Sequence, residues 1–158
     1  MQDTVTTESS SSLKFFYVDT IAELPPNVTL ETLVDFFYRE MKPYQDTPED
    51  VLRGLRYAFS KLPGKGGFLL LAVRGGELVG GLTMLRTGME GYVPENILLF
   101  VAVRRDLRGQ GVGGELVRRG IVQADGAVKL HVEHDNPARR LYLRMGFENK
   151  YLEMRYAK

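Results

Sequence analysis

From residue 13 onward the chain alternates between apolar runs of strand-like composition and stretches whose apolar residues recur at helical spacing. The run "LKFFYVD", 13 to 19, predicts a strand. Next, Leu30, Leu33, Val34, Phe37 and Met41 fall on one helical face, with Thr29 in position to cap it. A second helix is announced by Thr47 as N-cap, Pro48 at the first helical position and Glu49 and Asp50 in the first turn. Its apolar face is Val51, Leu52, Leu55, Phe59 and Leu62. Two strands then flank Arg74-Gly75-Gly76-Glu77, where the Gly pair suits a two-residue hairpin turn. The segment "GMEGYVPE", 88 to 95, predicts a loop, and "NILLFVAV", 96 to 103, is apolar throughout, as a strand covered on both faces should be. A helix is predicted from Gly111 to about Ala124, facing inward through Val112, Leu116, Ile121 and Ala124 and weakened by Gly120. After a turn at Asp125-Gly126, "AVKLHVE", 127 to 133, alternates like a strand. Asn136, Pro137 and Gly146 frame a short helix. "FENKYLEMRY", 147 to 156, predicts a closing strand.

The predicted order is β, α, α, β, β, β, α, β, α, β: an antiparallel meander followed by two strand-helix units. That pattern implies one mixed α/β (α+β) domain spanning 13–158. Residues 1–12, "MQDTVTTESSSS", are polar and Ser/Thr-rich and predict a disordered tail.

Composition narrows the function. A chain of 158 residues is long enough for one hydrophobic core. With no Cys and only His131 and His134, thiol chemistry is excluded and no metal site is expected. No apolar run is long enough to span a membrane, and no secretory leader opens the chain, so a cytoplasmic location is expected. The net charge of +1 argues against a nucleic-acid partner. The arginines nevertheless cluster: Arg104, Arg105, Arg108, Arg118 and Arg119 surround a glycine run, which fits one compact anion.

That run, Gly109-Gln110-Gly111-Val112-Gly113-Gly114, lies between the strand ending at Val103 and the next helix. The first turn of a helix carries unpaired N–H groups and the positive end of the helix dipole. Gly lets those groups approach phosphate oxygens without interference from a Cβ. The run literally matches the dinucleotide fingerprint G-x-G-x-x-G, and Glu133 lies about 20 residues further on, where that motif requires an acid. Against a dinucleotide site stand the five residues Arg104–Arg108 before the first Gly, the meander upstream, and too little chain downstream to complete a doubly wound sheet.

A second parse, Arg108-x-x-Gly111-x-Gly113, resembles the coenzyme-A pyrophosphate loop of the GNAT acyltransferase superfamily, whose pattern is (Arg/Gln)-x-x-Gly-x-(Gly/Ala). The segment containing Leu130, Val132, Asn136, Ala138, Leu141, Tyr142, Gly146 and Phe147 resembles the second signature of that superfamily in order and spacing. The resemblance implies a GNAT-like fold with a splayed parallel strand pair and about four helices. It also implies an N-acetyltransferase that moves an acetyl or other acyl group from acetyl-CoA to a primary amine in a ternary complex, with no metal. By the same resemblance, backbone groups at Val101, Ala102 and Val103 line the pantetheine arm, and Arg108 with residues Gly109 through Gly114 holds the pyrophosphate. Asn136 would bond the pantetheine arm, and Tyr142 would be the general acid.

The general base is not evident. Many relatives carry a Glu near the position of Leu99, where this strand is apolar. Glu95, His131 and Glu133 are substitutes, and a water chain with no dedicated base is another route. The acceptor implied is a small-molecule or peptide amine, with Tyr44, Asp46 and the 89–92 loop near its slot. Only 11 residues follow Phe147, which is short for the superfamily's last two strands and opens the expectation of a homodimer. Two alternatives stay open: a non-catalytic coenzyme-A sensor, and a small nucleotide-binding oxidoreductase.

Overall fold

The computed structural model describes residues 12–158; the tail expected at 1–12 therefore lies almost wholly outside the described residues. Among the described residues, nine strands and α-helices follow in chain order: β1 (Lys14–Val18), α1 (Leu30–Glu40), α2 (Pro48–Phe59), β2 (Gly67–Arg74), β3 (Glu77–Arg86), β4 (Asn96–Val103), α3 (Val112–Gln123), β5 (Val128–Leu130) and α4 (Ala138–Arg144). Short 3-10 turns occur at Ile21–Glu23 and Arg105–Leu107.

Local chemistry accounts for most of the boundaries. Thr29 accepts the Thr32 N–H at 3.2 Å, and Thr32 Oγ1 accepts the Thr29 N–H at 2.8 Å, so two orphan donors at the start of α1 are satisfied reciprocally. Thr47 caps α2 in the same way through the Asp50 N–H. The β2–β3 hairpin turns on Gly75 and Gly76, both at positive φ (58° and 77°), the backbone twist a two-residue connection needs.

The five strands lie in the order β1-β2-β3-β4-β5. The first four are antiparallel neighbours, and β4 and β5 are parallel. Helices α1 and α2 cover one face around Leu33, Phe37, Val51, Leu55, Leu69 and Leu71. Helices α3 and α4 cover the other around Phe68, Leu82, Met84, Leu116, Val117 and Tyr142. This explains why β2 is buried from Gly67 to Val73 with no alternation.

Between Thr83 and Met84 the β3–β4 register slips by one residue, and Leu99 is the extra residue on β4. The bulge turns Leu99 and Phe100 toward the same helix, α2. There Gly54 permits the approach: a Cβ at that position would lie 2.5 Å from Leu99 Cδ2 and 2.9 Å from Phe100 Cε2.

Leu62 and Ile121, expected on apolar helix faces, are exposed, and Leu62 lies beyond the end of α2; two strand expectations also fail. The strand predicted over 127–133 forms only at Val128–Leu130. The closing strand predicted over 147–156 does not form: residues 148–158 are exposed and unpaired. Alternation shows which residues share a face, but a ladder also needs a partner edge, and three-residue β5 offers very little.

Candidate functional site

Parallel pairing of β4 with β5 covers only Asn96–Leu98 against Val128–Leu130. Beyond Leu98, β4 continues to Val103 beside β3 alone, so a wedge opens between β4 and the chain leaving β5. The Arg104 N–H donates to Val79 O at 2.8 Å and therefore faces β3. Strand alternation then turns Ala102 toward β3, opposite Gly81, and turns the polar groups of Val101 and Val103 into the wedge. The Val103 carbonyl confirms this direction by accepting Arg108 Nε at 3.1 Å. Of the three residues Val101–Val103, the first and last thus direct main-chain groups into the wedge, the Val103 carbonyl being already engaged by Arg108.

At the end of the wedge lies the glycine loop. Gly109 and Gly111 adopt positive φ (75° and 86°), and no heavy atom lies within 4 Å of a Cβ built on either. Both therefore present bare backbone to open space. The first bond of α3 runs from the Glu115 N–H to Gly111 O, so the N–H groups of Val112, Gly113 and Gly114 precede the helical ladder and are orphan donors. This geometry fits an anionic group at the helix start.

The arginines divide by partner. Arg118 and Arg119 both bind Glu115, at 2.7 and 2.6 Å, and their hydrogen bonds hold its carboxyl down at about 2. Arg104 is engaged by Asp106 and Glu77. Arg108 turns inward, onto the carbonyls of Val103 and Glu40. Among the described residues, the Arg105 side chain makes no ion pair.

Tyr142, on α4, is 7% exposed and packs edge-on to Phe147 with ring centroids 5.8 Å apart. Its hydroxyl makes no hydrogen bond among the described residues. Burial, reinforced by the negative charge of Glu133, pushes it up to about 12. Asn136 donates to Glu133 Oε2 at 3.1 Å, and its own Oδ1 accepts the Ala138 N–H at 3.0 Å, which caps α4.

The base candidates differ in how free they are. Glu95 accepts the N–H groups of Ala127 (2.8 Å) and Gly91 (3.1 Å), and its own backbone N–H, followed by those two, holds its carboxyl below the ordinary range. It staples the 88–95 loop to the start of β5. His131 and Glu133 lie past the end of β5 and are exposed. The acids around this opening interact: desolvation, Asp50 and Glu133 push Asp46 up against the pull of Arg155. Tyr44 donates to Asp135 O at 3.2 Å, and its hydroxyl is raised by desolvation, Asp135 and Glu133.

The residue missed from sequence is Glu40, a buried acid at the last position of α1 that accepts the Arg105 N–H at 3.1 Å. A signal existed: Leu33, Phe36, Phe37 and Glu40 share one stripe of α1, and an acid on an apolar stripe is unusual.

The sequence model of the acetyltransferase (GNAT) family matches residues 29–147, a span that includes the helix pair, the meander, the glycine loop and α4. The chain belongs to the GNAT acetyltransferase family. It is therefore an acyltransferase, and the GNAT fold expected from its motifs is the fold observed. An aminoglycoside N-acetyltransferase, AAC(6')-Iy, solved in complex with CoA, superposes with a TM-score of 0.67 at 13% identity, covering 96% of this chain and 97% of its own. An aminoglycoside acetyltransferase from an uncultured soil metagenomic sample, solved with sisomicin, gives 0.58 at 19% identity, covering 92% of this chain and 96% of its own. An acetyltransferase-like protein from Pyrococcus furiosus gives 0.60 at 18% identity, covering 92% of this chain and 100% of its own. No curated protein sequence matches the chain significantly. Among the described residues, no helix is long and apolar enough to cross a membrane.

Proposed function

We propose that this GNAT protein transfers an acetyl group from acetyl-CoA to a primary amine of a small molecule, by direct attack in a ternary complex. The observation that carries this reading is the wedge: the Val103 N–H and the main-chain groups of Val101 lead from the open Gly109–Gly114 loop toward the opening beside Tyr142 and Glu133. The orphan N–H groups of α3 would hold the pyrophosphate, and the edge of β4 would orient the pantetheine arm as an added strand. When bound, acetyl-CoA supplies a thioester carbon for attack and a thiolate leaving group.

Tyr142 keeps a proton on Oη at neutral pH, because burial disfavours the phenolate. That proton is available to a thiolate formed beside it. The attacking amine must lose a proton. We assign that step to Glu133 acting through water, in preference to Glu95, whose carboxylate is occupied by two amides. The acids near the opening, Asp46, Asp50, Glu133 and Asp135, suit a cationic amine, in keeping with relatives named as aminoglycoside acetyltransferases. Asn136 is assigned to the pantetheine arm through whichever donor Glu133 leaves free.

A second reading, a coenzyme-A-binding sensor, has one observation in its favour: apolar Leu99 stands where many relatives carry the base. Thermal shift with acetyl-CoA and with NAD, then thiol release from acetyl-CoA across an amine panel, separates these readings. Stabilisation by acetyl-CoA together with amine-stimulated release is expected. Binding with no stimulated release would establish the sensor, and stabilisation by NAD alone would revive the oxidoreductase. A cytoplasmic location and a homodimer belong to the same proposal, and sedimentation of the intact chain measures the second.

A further inference from the structure

One buried carboxylate is not used in the reaction as proposed. Glu40 ends α1 and is 8% exposed. A carboxylate there faces the negative end of the helix dipole, and its burial costs more still unless it is paired. The partners are specific. Oε2 accepts the Arg105 N–H at 3.1 Å, and Oε1 accepts Arg39 Nε at 3.1 Å. Arg108 Nη2 lies 3.9 Å from Oε2 and also donates to the Glu40 carbonyl. The same guanidinium donates through Nε to Val103 O. It is thereby wedged between the last turn of α1, the end of β4 and the glycine loop it precedes.

We propose that Glu40 and Arg108 form a clasp that sets the position of the coenzyme loop. Glu40 is a positioning residue, and Arg108 acts on coenzyme binding through geometry, not through its charge on the phosphates. The inference rests on the coenzyme-A reading above. It has a structural corollary: the Val103 carbonyl is already taken, so the free main-chain groups of the wedge begin with the Val103 N–H and the groups of Val101. It also separates Arg from Lys, because a guanidinium can donate to two carbonyls from fixed nitrogens while an ammonium supplies mainly a point charge.

The test is calorimetric titration of coenzyme A into the intact chain at two salt concentrations, with hydrogen exchange at the Arg105 amide as a ligand-free readout. The variants are Glu40→Ala, Glu40→Gln, Arg108→Lys and Arg108→Met. Glu40→Ala, Arg108→Lys and Arg108→Met should each weaken binding by about tenfold, the scale of one lost charge-assisted hydrogen bond. Their salt dependence should match that of wild type. Glu40→Gln keeps an acceptor for the Arg105 N–H and should bind better than Glu40→Ala. Exchange at Arg105 should accelerate in Glu40→Ala. If Arg108→Lys binds like wild type while Arg108→Met does not, or if Arg108→Met flattens the salt dependence, Arg108 acts by charge and the clasp is wrong. Should Glu40→Ala fail to fold, the Lys/Met pair decides, since Arg108 is 42% exposed at its side chain. A wild type that binds no coenzyme A overturns the coenzyme reading and the clasp with it; variants that bind as tightly as wild type overturn the clasp alone.

Discussion

Tyr142→Phe removes one oxygen whose role can be weighed from two directions. The ring is buried and its hydroxyl makes no hydrogen bond among the described residues, so loss of the oxygen should cost the fold little at pH 8. Its ionisation, however, is displaced from an ordinary value near 10 to about 12. Folding therefore keeps the phenol protonated over a range in which the unfolded chain releases the proton. The folded state binds more protons there, so stability falls as pH rises from the unfolded value toward the folded one. Each unit of displacement corresponds to about 1.4 kcal/mol, which makes the expected penalty about 1.4 kcal/mol at pH 11 and nearly twice that above both values. Urea denaturation of wild type and Tyr142→Phe at pH 8, 10 and 11 isolates this term, because the other tyrosines are common to both proteins. The variant should gain on wild type by that amount between pH 8 and 11. A parallel pH dependence would refute the buried, uncompensated phenol. In the thiol-release assay the same variant should lose roughly 10²- to 10⁴-fold in kcat with little change in KM for acetyl-CoA, as expected for a lost proton donor. Unchanged kcat would remove Tyr142 from the chemistry.

Further outcomes can be stated for the rest of the site and the core. Gly111→Glu forces a side chain onto a residue at φ 86° in the open cradle, so coenzyme A binding by calorimetry should vanish while the circular dichroism spectrum persists; unchanged affinity would sink the cradle. Glu95→Gln should leave kcat within a few-fold but lower the midpoint of thermal unfolding at pH 7. Because hydrogen bonds lower the Glu95 carboxyl in the folded state, its stabilisation is present above the unfolded value and lost as pH falls through the folded one, so the difference between the proteins should shrink in acid. A large loss of kcat at unchanged stability would make Glu95 the base. Gly54→Ala places a methyl 2.5 Å from Leu99 Cδ2 and should cost about 1–3 kcal/mol of unfolding free energy, read by urea denaturation. Phe37→Ala, at a fully buried ring packed against Phe36 and Phe100, should cost about 3–5 kcal/mol in the same assay.

Features that depend on near neighbours in the chain were legible from residue types alone. Thr29, Thr47 and Pro48 wrote the starts of α1 and α2, and Gly75-Gly76 wrote the hairpin. The glycine loop and the spacing from Asn136 to Phe147 were enough to carry the family. These are signals of period and local conformation, legible without partners. Features that depend on which edges and charges meet came from the packing of the whole chain. Packing ended the β4–β5 ladder at Leu98 and Leu130, which opens the wedge, and left the closing segment predicted over 147–156 without a strand to pair with. It set the Arg108 guanidinium against the carbonyls of Val103 and Glu40, and spent the Glu95 carboxylate on two amides. Ladder length and charge pairing are set by groups far apart in the chain. A pattern of types along the sequence records which residues can make such contacts, and only the packed fold selects which ones they make.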